Sequence, residues 1–357
     1  MLTGRFHGGF NVEHDFSVNT NPLAPPDFIA DLARECIDEN CILRYPDYTQ
    51  RRVREALASI YECSPDRIIA YNGASEALYS IVFALRPRRI ILHTPCYGEL
   101  EFKAQAGVVG CRVESVGMRR AGLRFEFRIR DLIENAGAGD LVFICNPSNP
   151  TGACISRDVI IENAVDTEAL VVLDEAYGEL APGYDYRLPS DAPENIVIVK
   201  SLTKWLGVPG VRLGFIYTCS RRILEELEAS RPPWNLNSLA EYIIVEASSR
   251  FSRELSEFIR RSREFIAGES RRFVWELRGI GLEAYETSTC FTLARAPGFD
   301  FRVINELLIK NYSIALRPCI GFTGLGPEYA RIALRDPGER RMLIKALGDA
   351  IGGIVGH

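Results

Sequence analysis

Residues 196–218 read IVIVKSLTKWLGVPGVRLGFIYT and place a lysine between two short apolar runs. Ile196–Lys200 and Leu213–Thr218 have the length and composition that are typical of buried strands. Lys204 lies just beyond the first run, and Arg212 lies just before the second. Because ligands of parallel sheets bind beyond the carboxyl ends of the strands, this stretch predicts a lysine and an arginine beside a pocket.

Five more apolar runs precede this stretch and alternate with helix-like segments. Seven strands that alternate with helices predict an α/β fold whose seven-stranded sheet is mostly parallel and buried. After Asn235 a long charged helix is followed by shorter strand-like pieces, which indicates a smaller α+β C-terminal domain. We therefore predict an N-terminal arm (1–25), a large domain (26–235) and a small domain (236–357). The five preceding runs are Arg67–Tyr71, Arg89–His93, Cys111–Val116, Leu141–Cys145 and Leu170–Leu173.

Composition narrows the classes of function. The chain has 357 residues and a formal net charge of −5, so a large basic surface for nucleic acid is not expected. The sequence contains no run of 18 apolar residues, so we expect no membrane span. The start, MLTGRFHGGF, lacks the pattern of a signal peptide. The cysteines show no CxxC spacing, so we expect buried thiols in a reducing cytoplasm and no metal site.

A lysine at a strand end, followed by an arginine, is the arrangement of a pyridoxal-phosphate site. The Lys204 amine is predicted to form a Schiff base with the cofactor aldehyde. Arg212 offers a planar fork to the cofactor phosphate, and the hydroxyl of Ser201 adds a donor. Lys200 is the rival lysine, but its position within a strand makes it less able to reach a pocket.

Two further strand ends carry side chains suited to the same cofactor. Asp174 can pair with the pyridine nitrogen and hold it protonated, which makes the ring an electron sink. Tyr177 and Asn149 can hydrogen-bond the phenolic oxygen of the ring. Taken alone, Asp174 could instead cap a helix or bind a metal, and Asn149 could belong to an ordinary turn.

The two remaining strand ends complete the predicted cofactor site. Ala74 and Ser75 begin a helix after a strand, where free backbone N–H groups bind phosphate well. Tyr97 follows the next strand and could stack on the cofactor ring or pack in the core. The joint occurrence of these residues at five strand ends favours pyridoxal 5'-phosphate as the cofactor.

These motifs resemble the fold-type I pyridoxal-phosphate enzymes, which have the aspartate aminotransferase-like fold. The similar branch holds the histidinol-phosphate aminotransferases and the L-threonine-O-3-phosphate decarboxylases. The resemblance implies that Lys204, Asp174 and Tyr177 act in catalysis. It also implies that Tyr45 reaches the cofactor phosphate of a neighbouring subunit, and therefore a homodimer with shared active sites.

Two arginines near the end of the chain suit a substrate with two anionic groups. The resemblance implies that Arg331 binds the substrate carboxylate and that Arg317 lies where a substrate phosphate is met. It also implies that His7 and Asn21 lie near a small phosphorylated amino-acid substrate.

Several stretches are more similar to the threonine-phosphate decarboxylases than to the aminotransferases. We therefore predict decarboxylation of L-threonine O-3-phosphate to (R)-1-amino-2-propanol O-2-phosphate for cobalamin biosynthesis. The alternative is an aminotransferase that acts on histidinol phosphate or an aromatic amino acid with 2-oxoglutarate. A regulator that senses the cofactor would carry an added nucleic-acid-binding domain, which the sequence does not suggest. The stretches are His7-Gly8-Gly9, Asp15–Leu23, Arg231–Ala240 and Phe322–Gly326.

Overall fold

The structure is a computed structural model that describes residues 12–355. Its strands include every one of the seven that the apolar runs predict, and each bound differs from the predicted one by at most one residue. The strands are β1 (His14–Asp15), β2 (Ile68–Tyr71), β3 (Arg89–Thr94), β4 (Arg112–Gly117), β5 (Arg119–Arg120), β6 (Phe125–Glu126), β7 (Asp140–Cys145), β8 (Leu170–Asp174), β9 (Ile196–Ser201), β10 (Gly214–Tyr217), β11 (Glu283–Ala284), β12 (Phe291–Arg295), β13 (Ile314–Ala315), β14 (Arg317–Pro318) and β15 (Tyr329–Ala333).

Helices connect these strands and cover the large sheet. No helix within residues 12–355 combines the length and the apolar character that a membrane crossing requires. The helices are α1 (Asp27–Asp38), α2 (Arg51–Tyr61), α3 (Ala74–Leu85), α4 (Glu99–Val109), α5 (Ile129–Ile133), α6 (Arg157–Ala164), α7 (Leu202–Trp205), α8 (Arg221–Ser230), α9 (Ser238–Arg250), α10 (Ser252–Gly279), α11 (Phe301–Tyr312) and α12 (Pro337–Val355).

The seven predicted strands form one sheet in the spatial order β2-β10-β9-β8-β7-β3-β4. The strands β9, β8, β7, β3 and β4 are parallel, and β10 is antiparallel to both of its neighbours. Every residue of β2, β7, β9 and β10 is buried. This burial explains why these strands appear in the sequence as continuous apolar runs. The prediction of a mostly parallel seven-stranded sheet is confirmed.

A second, antiparallel sheet has the order β11-β12-β15-β14. Beside it, β1 from the start of the described chain pairs in parallel with β13. The arm therefore packs against the C-terminal elements, although about 300 residues separate the paired strands.

The proposed division at residue 235 stays a prediction. Helix α9 follows that position in sequence, yet it packs against α1 and α2 of the predicted large domain. One apolar cluster also includes Leu57, Ile244 and Phe258, which lie on both sides of the division.

The expectation for the cysteines is wrong for one pair. Cys36 and Cys41 form a disulfide with a Cα–Cα distance of 5.3 Å. It joins the last turn of α1 to the 3₁₀ turn Cys41–Leu43. A search for CxxC spacing misses this pair because four residues separate its members. Four of the other cysteines are free and buried, as expected: Cys96, Cys145, Cys290 and Cys319. The remaining four are free but only half-buried: Cys63, Cys111, Cys154 and Cys219.

Candidate active site

The parallel strands bring three predicted residues to one edge of the large sheet. Asp174 is the last residue of β8 and pairs in register with Cys145 of β7. Lys204 lies in the short helix α7, directly after β9. Asn149 lies in the turn that follows β7. Three neighbouring strands thus supply the core of the site, as their carboxyl ends predict.

Lys204 is half-buried, and its amine faces the ring of Tyr177 with Nζ 5.7 Å from the ring centroid. Burial, together with the nearby charge of Arg331, lowers the pKa of Lys204 to about 8. A lysine with a lowered pKa is a better nucleophile near neutral pH because more of its amine is uncharged.

The rival lysine is engaged elsewhere. Lys200 is fully buried, and its Nζ lies 2.7 Å from Glu175 Oε2 and 3.0 Å from the carbonyl of Tyr186. Its Nζ also lies 3.3 Å from Glu179 Oε1. These contacts use all three donors of the ammonium group. Lys204 is therefore the lysine that presents its amine to the site.

Asp174 is buried, and its Oδ1 accepts the N–H of Ala176 at 3.0 Å. Burial raises the pKa of Asp174 to about 6, against the opposing effects of this hydrogen bond and the Lys204 charge. A buried carboxylate with so little compensation favours a positively charged partner. A protonated pyridine nitrogen meets that requirement.

Tyr177 is held by a residue that was not predicted, and Asn149 is held by the predicted Arg331. Asn19 Nδ2 donates to the Tyr177 hydroxyl. Asn149 Oδ1 accepts from Arg331 Nη1 at 2.8 Å, so its Nδ2 remains as the donor for a ligand. No role was predicted for Asn19, because the arm that contains it does not follow the end of a strand.

The predicted phosphate-binding residues surround the start of α3. Gly73 precedes it with φ +87°, and a Cβ placed there would lie 2.6 Å from Arg212 Nη2. The positive φ favours glycine, and any other residue would also have to displace the guanidinium from this helix end. Gly214 is equally restricted, because a Cβ there would lie 2.5 Å from the backbone nitrogen of Ala74. The result is a small cradle of backbone N–H groups beside an arginine.

Hydroxyl groups line the same end of the site in two pairs. Ser75 Oγ lies 2.9 Å from the hydroxyl of Tyr97, and Ser201 Oγ lies 2.9 Å from Thr203 Oγ1. Thr203 was not predicted, although it stands directly before Lys204 in the sequence. Its hydroxyl adds a donor that the motif itself could have indicated.

Arg317 and Arg331 are direct partners in the pairing of β14 with β15. Arg331 is buried, and within the described part of the chain it donates only to Asn149 and to the carbonyl of Ser17. No carboxylate within residues 12–355 forms an ion pair with either arginine, and Arg331 Nε has no hydrogen-bond partner there. Burial lowers the pKa of Arg331. A buried guanidinium held only by neutral groups is suited to an anionic ligand.

The remaining predicted residues lie apart from this centre or outside the described chain. Asn21 binds the backbone of α7: its N–H donates to the carbonyl of Lys204, and its Nδ2 donates to the carbonyl of Trp205. These contacts favour a role in holding α7 rather than a contact with substrate. Tyr45 is 81% exposed and packs on Trp234. His7 lies outside the described residues.

Comparison with known proteins identifies the family. Residues 13–347 match the sequence model of the family described as aminotransferase class I and II. The chain belongs to this family. The resemblance and the fold class inferred from the sequence are thereby confirmed.

Two relatives of this aminotransferase-family chain carry different activities in their names. The chain is 29% identical over 349 residues to threonine-phosphate decarboxylase of Salmonella typhimurium, which covers 95% of this chain and 92% of the relative. It is 32% identical over 360 residues to histidinol-phosphate aminotransferase of Chlorobium luteolum, with 96% and 94% covered. Such similar values do not separate the two reactions.

A solved structure agrees with the fold. Histidinol-phosphate aminotransferase from Sinorhizobium meliloti, in complex with pyridoxal-5'-phosphate, superposes with a TM-score of 0.80. The identity is 22%, and the match covers 98% of this chain and 94% of that one.

The family depends on pyridoxal phosphate, and the residues of this site fit that cofactor. A lysine with a lowered pKa, a buried carboxylate that favours a cation and a cradle of phosphate donors occur at one edge of the sheet. This family member is therefore a pyridoxal-phosphate-dependent enzyme. Lys204 would hold the aldehyde carbon, Asp174 the pyridine nitrogen and Arg212 the phosphate.

Proposed function

We propose that the protein decarboxylates L-threonine O-3-phosphate to (R)-1-amino-2-propanol O-2-phosphate, a step of cobalamin biosynthesis. The observation that carries this proposal is the pairing of Arg317 with Arg331, neither of which has a carboxylate partner within residues 12–355. L-Threonine O-3-phosphate carries a carboxylate and a phosphate on one small molecule. The similarity to a named threonine-phosphate decarboxylase supports the same reaction.

The two arginines are assigned different anions by their positions. Arg331 contacts Asn149, and its charge lowers the pKa of Lys204. It therefore lies close to the reacting carbon and would bind the substrate carboxylate. Arg317 is the neighbouring strand partner and would bind the phosphate. Both groups can form paired hydrogen bonds with a guanidinium.

Bound pyridoxal phosphate supplies an electron sink for the bond that breaks at the substrate α-carbon. Asp174 keeps that sink effective by holding a proton on the pyridine nitrogen. In decarboxylation, the bond between the α-carbon and the carboxylate would break and carbon dioxide would leave, and Arg331 would orient that carboxylate beforehand. Lys204 Nζ then returns a proton to the α-carbon as a general acid.

The alternative is an aminotransferase that acts on histidinol phosphate or an aromatic amino acid. The 32% identity to a histidinol-phosphate aminotransferase favours it. In that reaction Lys204 Nζ removes the proton of the α-carbon, and Arg331 binds the carboxylate of 2-oxoglutarate. Both reactions use the same residues, so the orientation of the substrate separates them.

The proposed assembly is a homodimer in which Tyr45 contacts the cofactor phosphate of the other subunit. An exposed apolar patch surrounds this tyrosine, and such patches are typical of interaction surfaces. Tyr45 and Tyr48 both pack their rings against Trp234 within the patch. The patch is formed by Tyr45, Tyr48 and Trp234, and the apolar residues Ile37, Ile42 and Leu43, which precede Tyr45 in sequence, are exposed as well.

A parallel incubation tests the reaction. The cofactor-loaded enzyme receives O-phospho-L-threonine in one tube, and histidinol phosphate with 2-oxoglutarate in another. An aromatic amino acid with 2-oxoglutarate forms a third. Carbon dioxide and glutamate are measured in all three, with Lys204→Ala as the inactive control. We expect carbon dioxide from the first tube alone. Glutamate without carbon dioxide would overturn the proposal in favour of the aminotransferase.

A further inference from the structure

A buried cluster of charged groups lies directly behind the active site and has no part in the reaction described above. Glu175 follows Asp174 in the chain and forms a two-point ion pair with Arg157, with Nη2 2.6 Å from Oε2. The same Oε2 lies 2.7 Å from Lys200 Nζ. Although burial alone would raise the pKa of Glu175, the charges of Lys200 and Arg157 lower it. The ion pairs therefore favour the ionised form of Glu175 in the interior.

The cluster continues without a break toward the site lysine. Glu179 Oε1 lies 3.3 Å from Lys200 Nζ and accepts the hydroxyl hydrogen of Tyr61 at 2.7 Å. The Tyr61 oxygen accepts Trp205 Nε1–H at 3.2 Å. Trp205 is the residue after Lys204. We call Glu175, Lys200, Glu179, Tyr61 and Trp205 the buried network.

The two ends of the buried network show which active-site residues it connects. One end adjoins Asp174 and the other adjoins Lys204, while its middle lies on β9 and on the 3₁₀ turn Gly178–Leu180. Each member is at most 1% exposed. Burying charged pairs has a large desolvation cost, and apolar residues of similar size often give equal stability. Stability alone is therefore a poor explanation for ions at this place.

We propose that the buried network is a positioning device that fixes Asp174 and Lys204 relative to each other. The network members are positioning residues: their polar atoms bond to neighbouring protein groups, and of these atoms only Glu179 Oε2 lacks a hydrogen-bond partner within residues 12–355. The inference rests on the proposed use of pyridoxal phosphate at this site, but not on which reaction follows. Distance matters here because a misplacement of about 1 Å can slow catalysis about a hundredfold.

Two conservative variants interrupt the network between Glu179 and Trp205. Tyr61→Phe removes the bridging hydroxyl, and Trp205→Phe removes the indole N–H. In each we expect the visible absorbance of the lysine-bound cofactor to remain. Its pH midpoint should shift by roughly half a unit or more. We also expect kcat to fall about tenfold with KM unchanged, because geometry rather than substrate binding is altered.

Tyr217→Phe is the matched control. Tyr217 is a fully buried tyrosine whose hydroxyl donates to the carbonyl of Pro189, outside the network. This variant should show the wild-type midpoint and kcat. The double variant Tyr61→Phe/Trp205→Phe should be no slower than the slower single variant, because both changes interrupt one path. Multiplied effects would contradict a shared path.

The outcomes separate this inference from the proposed function. If Tyr61→Phe and Trp205→Phe unfold at a lower temperature but keep the wild-type midpoint and kcat, the network is only structural and the inference is wrong. If one variant does not fold, the other still gives the midpoint. A wild-type enzyme without visible cofactor absorbance would instead contradict the use of pyridoxal phosphate. If the enzyme proved to be an aminotransferase, the spectroscopic test would still apply, because both reactions use the lysine-bound cofactor.

Discussion

The cofactor end and the substrate end of the site are built differently. At the cofactor end, Asp174, Lys204 and Asn149 follow three neighbouring parallel strands. At the substrate end, Arg317 and Arg331 come from a small antiparallel sheet, and Arg331 donates to an amide and a carbonyl oxygen rather than to a carboxylate. The cofactor end thus depends on the topology of one sheet, whereas the substrate end depends on segments that are distant in sequence. Differences between relatives in reaction should accordingly arise at the substrate end.

Loss of the site lysine should have the largest effect. We expect Lys204→Ala to abolish both turnover and the visible absorbance of lysine-bound cofactor, because no other amine can replace it. Lys310→Ala, an exposed lysine on α11, is the control and should keep both. Absorption spectra of the two purified variants make the comparison. Survival of the absorbance in Lys204→Ala would assign the cofactor to another lysine.

Loss of the buried arginine should damage the substrate end more than the cofactor end. Arg331→Met is expected to weaken binding of the carboxylate-bearing substrate by roughly 2–5 kcal/mol, since an interior charge loses its partner. The cofactor absorbance should be retained. Titration calorimetry with O-phospho-L-threonine measures the change, with the exposed Arg341→Met as control. An unchanged affinity would remove Arg331 from the substrate site.

The pH dependence of cofactor loading should report on the cofactor end alone. Only the uncharged amine of Lys204 can attack the aldehyde, and burial lowers its pKa to about 8. The loading rate of the cofactor-free protein should rise about tenfold per pH unit below pH 8 and then level off. Stopped-flow absorbance gives this profile. A rate that keeps rising to the ordinary lysine pKa would show that the site does not lower it.

The disulfide should matter least to either end of the site. Cys36 and Cys41 close a short loop, so Cys41→Ser should lower the free energy of unfolding by about 2 kcal/mol. Denaturant unfolding with and without a dithiol reductant measures this. The reductant should destabilise the wild type but not the variant, and the cofactor absorbance should stay unchanged in both. Equal sensitivity of the two proteins to the reductant would contradict the bond.

The large sheet and the cofactor end were predictable from sequence. Six of the seven strands of the large sheet are short apolar runs, whereas the edge strand β4 is polar and largely exposed. The carboxyl end of a parallel strand is a defined place for a ligand. Lys204 and Asp174 could therefore be placed at one edge of a sheet before any contact was known. Ser75 and Arg212 followed because a helix start and an arginine fork both suit a phosphate.

Contacts between distant segments were not predictable in the same way. Asn19 reaches Tyr177 across 158 positions, and no periodic pattern records such a contact. The buried network was not predicted because Glu and Lys are usually surface residues, and only the fold brings Glu175 and Lys200 together. The Cys36–Cys41 bond depends on how a helix ends. In each case tertiary packing, not local sequence preference, determines the outcome.

The pairing of β1 with β13 has a consequence for the order in which the molecule is completed. A ribosome makes His14–Asp15 about 300 residues before Ile314–Ala315, so the first strand has no partner during most of synthesis. The carbonyl of Ser17, in the same arm, likewise has no Arg331 to accept a hydrogen bond from until that residue is made. Long-range pairings of this kind form late and slowly. The substrate end is therefore assembled only when nearly the whole chain has emerged, and a translation product that stops early contains the lysine but no finished catalyst.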